Sequence, residues 1–377
     1  GVPAYRAAID LAASTRDADQ DGHNESARIS VKAYEALDRN GDGFDELARG
    51  LELSFAGTDA KSTGHPERVE GRIYLYARAD LDSDGILEVR KALEITALAT
   101  DANNDGHPEL AQITLTGAVV RDMNQDGKPE YRASLDGSLE AVDANSNGFF
   151  EKATVTIRAE AWVDWNSDGI LEDHSFATVS GVVTNTMDGA HPDRVEWHLV
   201  ATGERDFNAA GLPAETRGLT VDYVAIDANS NGAFESQNVT IRASAIRDAN
   251  HDGIPEYKAA FVAYMQATDT NDDGHPELVT LTARGSEFRD SNQSGHPEET
   301  AYFRLDAKWT DANSDGVFEK VDISFRAERM TDPDHDGDVD THEWVSIEYH
   351  ATGVHADGTA DNVSLVIEKH TMPSTTP

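Results

Sequence analysis

The chain contains no cysteine, so no disulfide staples it and no thiol serves as nucleophile or soft metal ligand. It has no run of 18 apolar residues, which excludes a membrane-spanning helix. Basic residues are scarce: 31 Lys and Arg stand against 70 Asp and Glu, a formal charge of -39. Such a surface repels nucleic acid and anionic membranes. Low hydrophobicity with high net charge is the composition of a disordered chain. Two features oppose disorder here: the acids recur at fixed positions, and alternating apolar residues fill the stretches between them. No signal peptide is visible at Gly1, so a mature, processed product is expected. A secreted chain without disulfides needs another staple, and outside the cell Ca²⁺ is the ready candidate.

What the sequence has instead is a repeat. The phrase D-x-[DN]-x-[DN]-G opens at Asp17, Asp38, Asp80, Asp101, Asp122, Asp143, Asp164, Asp227, Asp248, Asp269, Asp311 and Asp332. The step from Asp17 to Asp38 is 21, and every later spacing is that step or a multiple of it. Worn copies fill the vacant slots at Asp59, Asn185, Asp206, Asp290 and Gly353, giving 17 loops without an insertion. A longer beat spans four units: "DANSNGFFE" at Asp143 returns as "DANSNGAFE" at Asp227 and "DANSDGVFE" at Asp311.

Each unit is nine residues of loop and twelve that alternate. In "KATVTIRAEAWV", Ala153, Val155, Ile157, Ala159 and Ala161 share one face, and Thr154, Thr156, Arg158 and Glu160 the other. Period two over this length predicts a half-buried β-strand of roughly 40 Å. With "YRAAIDLAASTR" before the first loop, about 18 strands are expected in one continuous array over residues 1–372, with a tail at 373–377. The fold class is all-β, with antiparallel strands joined by the loops and a four-strand super-repeat. The alternative is a β-solenoid with metal loops stacked along a spine, which needs mid-strand bends such as Gly117, Gly137, Gly181 or Gly285.

The loop chemistry is that of a hard-cation cage. The third position adds an oxygen from Asp19, Asn40, Asp82, Asn103, Asn124, Asn145, Asn166, Asn229, Asn250, Asn271, Asn313 or Asp334. The fifth adds one from Asp21, Asp42, Asp84, Asp105, Asp126, Asn147, Asp168, Asn231, Asp252, Asp273, Asp315 or Asp336. Gly at the sixth supplies a sharp turn, and a carbonyl at the seventh can point inward. The ninth closes the shell with Glu25, Glu46, Glu88, Glu109, Glu130, Glu151, Glu172, Glu235, Glu256, Glu277, Glu319 or Asp340. This count of oxygens suits Ca²⁺ better than Mg²⁺. Empty, each like-charged pair at about 4 Å costs roughly 4 kcal/mol at an effective dielectric of 20. Twelve divalent ions, one per intact loop, would bring -39 to -15.

D-x-[DN]-x-[DN]-G-x-x-[DE] resembles the cation-binding hairpin loop of integrin α-subunit propellers and bacterial FG-GAP repeats. Its first half also resembles EF-hand, dockerin and thrombospondin type 3 loops. EF-hands and dockerins imply a further acid at position 12, where this chain has Gln112, Ala133, Thr154 and Ser175 in consecutive units. The ninth position is acidic in 16 of 17 units, which favours the hairpin-loop kind. The resemblance covers the nine-residue loops and implies a Ca²⁺ site in each.

Other features read as scaffold. The seventh-position His23, His107, His191 and His275 are loop residues before they are a metal ladder, and Thr114/Thr116 mark a solvated strand face before an ice-binding one. Arg158, Arg242 and Arg326 are expected to pair with acids on a neighbouring strand, and the five Trp share no repeat position. No nucleophile triad, P-loop or dinucleotide fingerprint is present, so no enzyme is expected. The expectation is an extracellular or cell-surface structural protein, a subunit of a filament, sheath or surface layer. It would self-associate through exposed strand edges, with a glycan or surface partner as a further option. An adhesin stalk or carbohydrate-binding module is the second reading, and a secreted polysaccharide-active enzyme the third.

Overall fold

A computed structural model describes residues 4–185, 191–206, 213–334 and 336–373. The worn loops after Asn185 and Asp206 fall partly, and the tail beyond Pro373 wholly, outside the described residues. The chain divides into two compact units, Gly1–Asp188 and Gly189–Pro377. Among the described residues all regular structure is strand. The first unit holds β1 (Ala4–Arg16), β2 (Ser26–Asp38), β3 (Leu47–Thr58), β4 (Arg68–Ala79), β5 (Val89–Thr100), β6 (Leu110–Arg121), β7 (Tyr131–Val142), β8 (Lys152–Val163) and β9 (Asp173–Thr184). The second holds β10 (Arg194–Arg205), β11 (Glu215–Ile226), β12 (Ser236–Arg247), β13 (Tyr257–Thr268), β14 (Leu278–Arg289), β15 (Glu299–Thr310), β16 (Lys320–Thr331), β17 (Thr341–Val354) and β18 (Ala360–Pro373).

Inside each unit every strand pairs antiparallel with its neighbour in sequence, so the chain takes the hairpin path and not the solenoid. The register follows one rule. Partner numbers add to 42 in Tyr5/Leu37, to 84 in Ile29/Phe55 and to 126 in Leu51/Leu75. Two consequences follow from this arithmetic. Partners always share parity, so odd-numbered strand residues face one side and even-numbered residues the other. Each residue also lies level with its equivalent two repeats later, as Ile9 does with Leu51 across Ala33.

The odd face is the apolar one. Leu51, Leu75 and Leu93 lead across β3, β4 and β5 to Gly117 and Leu135 and line a trough of about 800 Å³ in the first unit. Phe261, Gly285, Phe303 and Phe325 line its counterpart of about 750 Å³ in the second. Gly117, Gly137, Gly181 and Gly285 are not bends; they lie inside unbroken strands. Gly285 leaves room for the Phe303 ring, which a Cβ would overlap.

The even face carries charge. Arg72 lies between Glu94 at 2.6 Å and Glu52 at 3.7 Å, and Lys32 reaches Glu52 at 3.6 Å. The three equivalent arginines depart from expectation. Arg158 and Arg326 pair with Glu160 (2.9 Å) and Glu328 (2.5 Å) two residues on in their own strands; only Arg242 crosses, to Asp222 at 3.1 Å. Side chains two apart on a strand share a face, which puts an acid within reach without a partner strand. Each guanidinium also lies over a ring, that of Phe176, Tyr264 or Trp344.

Candidate metal loops

Hairpins reverse direction at each loop, so successive loops fall on opposite edges of the sheet. In the first unit the loops opening at Asp17, Asp59, Asp101 and Asp143 follow one edge, and those at Asp38, Asp80, Asp122 and Asp164 the other. Neighbours along an edge are two repeats apart, as the register requires.

The loop from Asp101 to Glu109 shows how the sequence makes the cage. Asp101 Oδ2 accepts the Gly106 N–H at 2.8 Å and Oδ1 the Asn104 N–H at 2.6 Å. Asn103 Oδ1 accepts from the Asp105 amide at 2.9 Å, and Asp105 Oδ1 from the His107 amide at 2.8 Å. Glu109 Oε2 accepts the Ala102 N–H at 2.6 Å. These side-chain turns curl nine residues around their own oxygens. The fourth position is left-handed, with φ 64° at Asn104, and so is Gly106 at φ 92°. Gly106 is required twice over, because a Cβ there would also stand 3.3 Å from His65 Nδ1 of the preceding loop on that edge. Seventh-position rings therefore pack on the next loop's glycine, as His107 does on Gly148 and His275 on Gly316.

The curl brings acids together in several of the loops. Asp80, Asp82, Asp84 and Glu88 bring carboxylate oxygens within 4.8 Å of one another. So do Asp38, Asp42 and Glu46; Asp164, Asp168 and Glu172; and Asp311, Asp315 and Glu319. In the first loop Asp17, Asp19 and Glu25 meet, while Asp21 stands outside that set.

Burial is inverted relative to an ordinary protein. Among the described residues the largest fully buried side chains are Asp80, Asp143, Asp164, Asp227, Asp290 and Asp311, whereas the buried apolar residues are alanines. The neighbouring loop on the edge covers them. Asp143 N–H donates to Glu109 C=O at 2.8 Å, and the same bond recurs from Asp101 to Glu67 and from Asp311 to Glu277.

A buried carboxylate needs a partner for each oxygen, and several lack one. Asp164 (1% exposed) has an unpartnered Oδ1, and Glu172 (7%) an unpartnered Oε1. Asp332 Oδ1 is in the same condition. These are hard anionic oxygens, of a kind that could hold a metal ion.

Titration differs between loops for physical reasons. The Thr270 amide pulls Glu277 down to about 2 against its burial, helped by the hydroxyls of Thr270 and Ser314. Asp340 moves up, first by burial and then by the crowding of Asp334, Asp332, Asp336 and Asp338.

The worn loops of Asp59 and Asp290 keep the turn. In the loop of Asp290 the Gly295 N–H still donates to Asp290 Oδ2 at 2.9 Å, and Ser294 Oγ donates to the seventh-position carbonyl of His296 at 3.0 Å. In that of Asp59, Lys61 stands at the third position and its Nζ bonds Ala102 C=O at 3.1 Å. The last loop departs further: β17 and β18 run on to Val354 and Ala360, and a shorter turn closes on a His355 N–H to Thr359 C=O bond of 2.8 Å.

The fourth position links neighbouring loops and carries no sign of it in a single loop. Ser146 Oγ donates to Glu109 Oε1 at 3.1 Å, Ser167 to Glu130 at 3.1 Å and Ser314 to Glu277 at 3.0 Å. Each bond joins a loop to the one two repeats earlier. The available signal is that the fourth position is polar or small in every copy.

No family model and no curated protein matches the chain. Among solved structures it is similar to the outer membrane protein opdK from Pseudomonas aeruginosa, at 11% identity and a TM-score of 0.19 over 98% of each chain. A likeness at that score carries no argument.

Proposed function

We propose that the intact loops bind Ca²⁺ and that the protein is a calcium-stiffened extracellular structural repeat protein without enzymatic activity. The observation that carries this reading is the burial of Asp80, Asp164 and Asp227, together with the unpartnered oxygens of Asp164 and Glu172. A protein gains nothing by burying repeated charge unless a counter-ion completes it. The repetition also argues for a mechanical role, because the twelve intact loops share one motif.

The exposure of the terminal strands supports a role as subunit of a filament, sheath or surface layer. β1 and β18 are the most exposed strands, with Ile9 at 77% and Ile367 at 62%. Exposed apolar strands invite pairing with another copy. Electron microscopy with Ca²⁺ and with chelator tests the proposal. Assemblies that form with Ca²⁺ and dissolve on chelation support it; particles that stay monomeric in both conditions, with a glycan retained, favour the adhesin reading instead.

A further inference from the structure

We propose that Asp272 is a cation ligand given in trans, completing the loop Asp227–Glu235 from the next loop on the same edge. The inference rests on the calcium reading above and adds a residue outside the nine-residue motif.

Composition raises the question. The loop of Asp227 has Asn229 and Asn231 at both inner positions, so its own carboxylates are Asp227 and Glu235 alone. A loop such as Asp101–Glu109 has three, at Asp101, Asp105 and Glu109. The missing one is matched by Asp272, the fourth residue of the loop that opens at Asp269, two repeats after Asp227. Elsewhere the fourth position holds Ser, Gln, Asn, His, Gly or Ala. The single other acid there is Asp188, in the loop two repeats after that of Asp143. Asp143 opens the one other loop with Asn at both inner positions, Asn145 and Asn147. Asp188 lies outside the described residues, so the geometry is read at Asp272.

That geometry places the carboxylate against the deficient cage. Asp272 Oδ2 accepts from Asn231 Nδ2 at 2.5 Å and from Asn229 Nδ2. Its Oδ1 is buried and has no partner. Serine at this position donates to the ninth-position glutamate, as Ser314 does to Glu277; an ionised aspartate has no proton to donate. The two amide donors meet Oδ2 alone; beside Glu235 and a fully buried Asp227, the unpartnered Oδ1 is left for a cation. Each asparagine keeps its Oδ1 in the loop, where it accepts a backbone N–H, from Asn231 at 3.0 Å for Asn229 and from Ala233 at 2.8 Å for Asn231, so the charge at the site comes from the carboxylates of Asp227, Glu235 and Asp272. The charge of this site equals that of a loop with aspartate at the fifth position, and the site spans two repeats.

The test is hydrogen exchange of the peptide 227–235 at increasing Ca²⁺, in the whole chain, with the peptide 80–88 as internal reference. Asp272→Ser is the informative variant, since serine already occupies this backbone conformation at Ser230 and Ser314, φ 58° in both against 63° at Asp272. In wild type both peptides slow with Ca²⁺. In Asp272→Ser the midpoint for 227–235 rises about tenfold or more, since ligand charge sets affinity in such loops, while 80–88 is unmoved. Adding Asn231→Asp returns the carboxylate in cis and restores the midpoint. An unshifted 227–235 midpoint in Asp272→Ser, with 80–88 responding normally, overturns the assignment alone. No response to Ca²⁺ at either peptide in wild type overturns the calcium reading and this assignment with it.

Discussion

Ser146 lies one repeat pair beyond Glu109 along the same edge, and a 3.1 Å hydrogen bond runs from the serine hydroxyl to Glu109 Oε1. The bond exists because the register sets alternate loops side by side. It makes the edge of the sheet a chain of mutually supporting loops. Ser146→Ala should strip one partner from a half-buried carboxylate and cost about 1 kcal/mol. Urea unfolding of the metal-free protein checks this, and an unchanged midpoint would mean that the loops stand independently.

Gly148 tests the packing between loops. Its φ of 90° disfavours any side chain, and a Cβ there would stand 2.9 Å from His107 Nδ1. Gly148→Ala should destabilise by roughly 1–3 kcal/mol, the usual range for a residue held in a disfavoured conformation. Adding His107→Ala should recover the steric part and leave the backbone part. Strict additivity of the two changes in a thermal-unfolding cycle would show that the ring does not rest on this glycine.

The odd face gives a third prediction. Gly285 is covered by the Phe303 ring. Gly285→Ala overpacks that contact and should cost about 1–3 kcal/mol, with partial rescue by Phe303→Leu. Calorimetry of the single and double variants decides it.

Acid should unfold the metal-free protein through its ninth-position glutamates. Glu277 is held to about 2, and Glu25, Glu46, Glu109 and Glu130 move in the same direction. A depressed folded-state pKa contributes stability above the ordinary glutamate value of 4.5. That stability is lost as pH falls from there towards about 2. Asp340, displaced upward, acts in the opposite sense and is relieved by protonation. Circular dichroism across this range should show loss of structure on the acid side. Added Ca²⁺ should move the transition to lower pH, because ion and proton compete for the same oxygens.

The strands were legible because their signal is local. The alternation in "KATVTIRAEAWV" predicts a strand over 152–163, and β8 is Lys152–Val163. The loop motif likewise announces the convergence of Asp80, Asp82, Asp84 and Glu88. What escaped depends on register. Asp272 and Ser146 gain meaning only when loops two repeats apart are known to touch. Gly285 reads as a bend until Phe303 is placed over it. Arg158 and Arg326 find acids two residues along their own strands, a choice between two nearby carboxylates that periodicity does not distinguish.

The central claim is most directly tested by counting bound ions. Equilibrium dialysis of the chelator-stripped protein against Ca²⁺, with metal analysis, should find about one ion per intact loop, twelve in all by sequence, and a large rise in thermal stability as they bind. A protein that takes up no Ca²⁺ and melts at the same temperature with and without it would contradict the account.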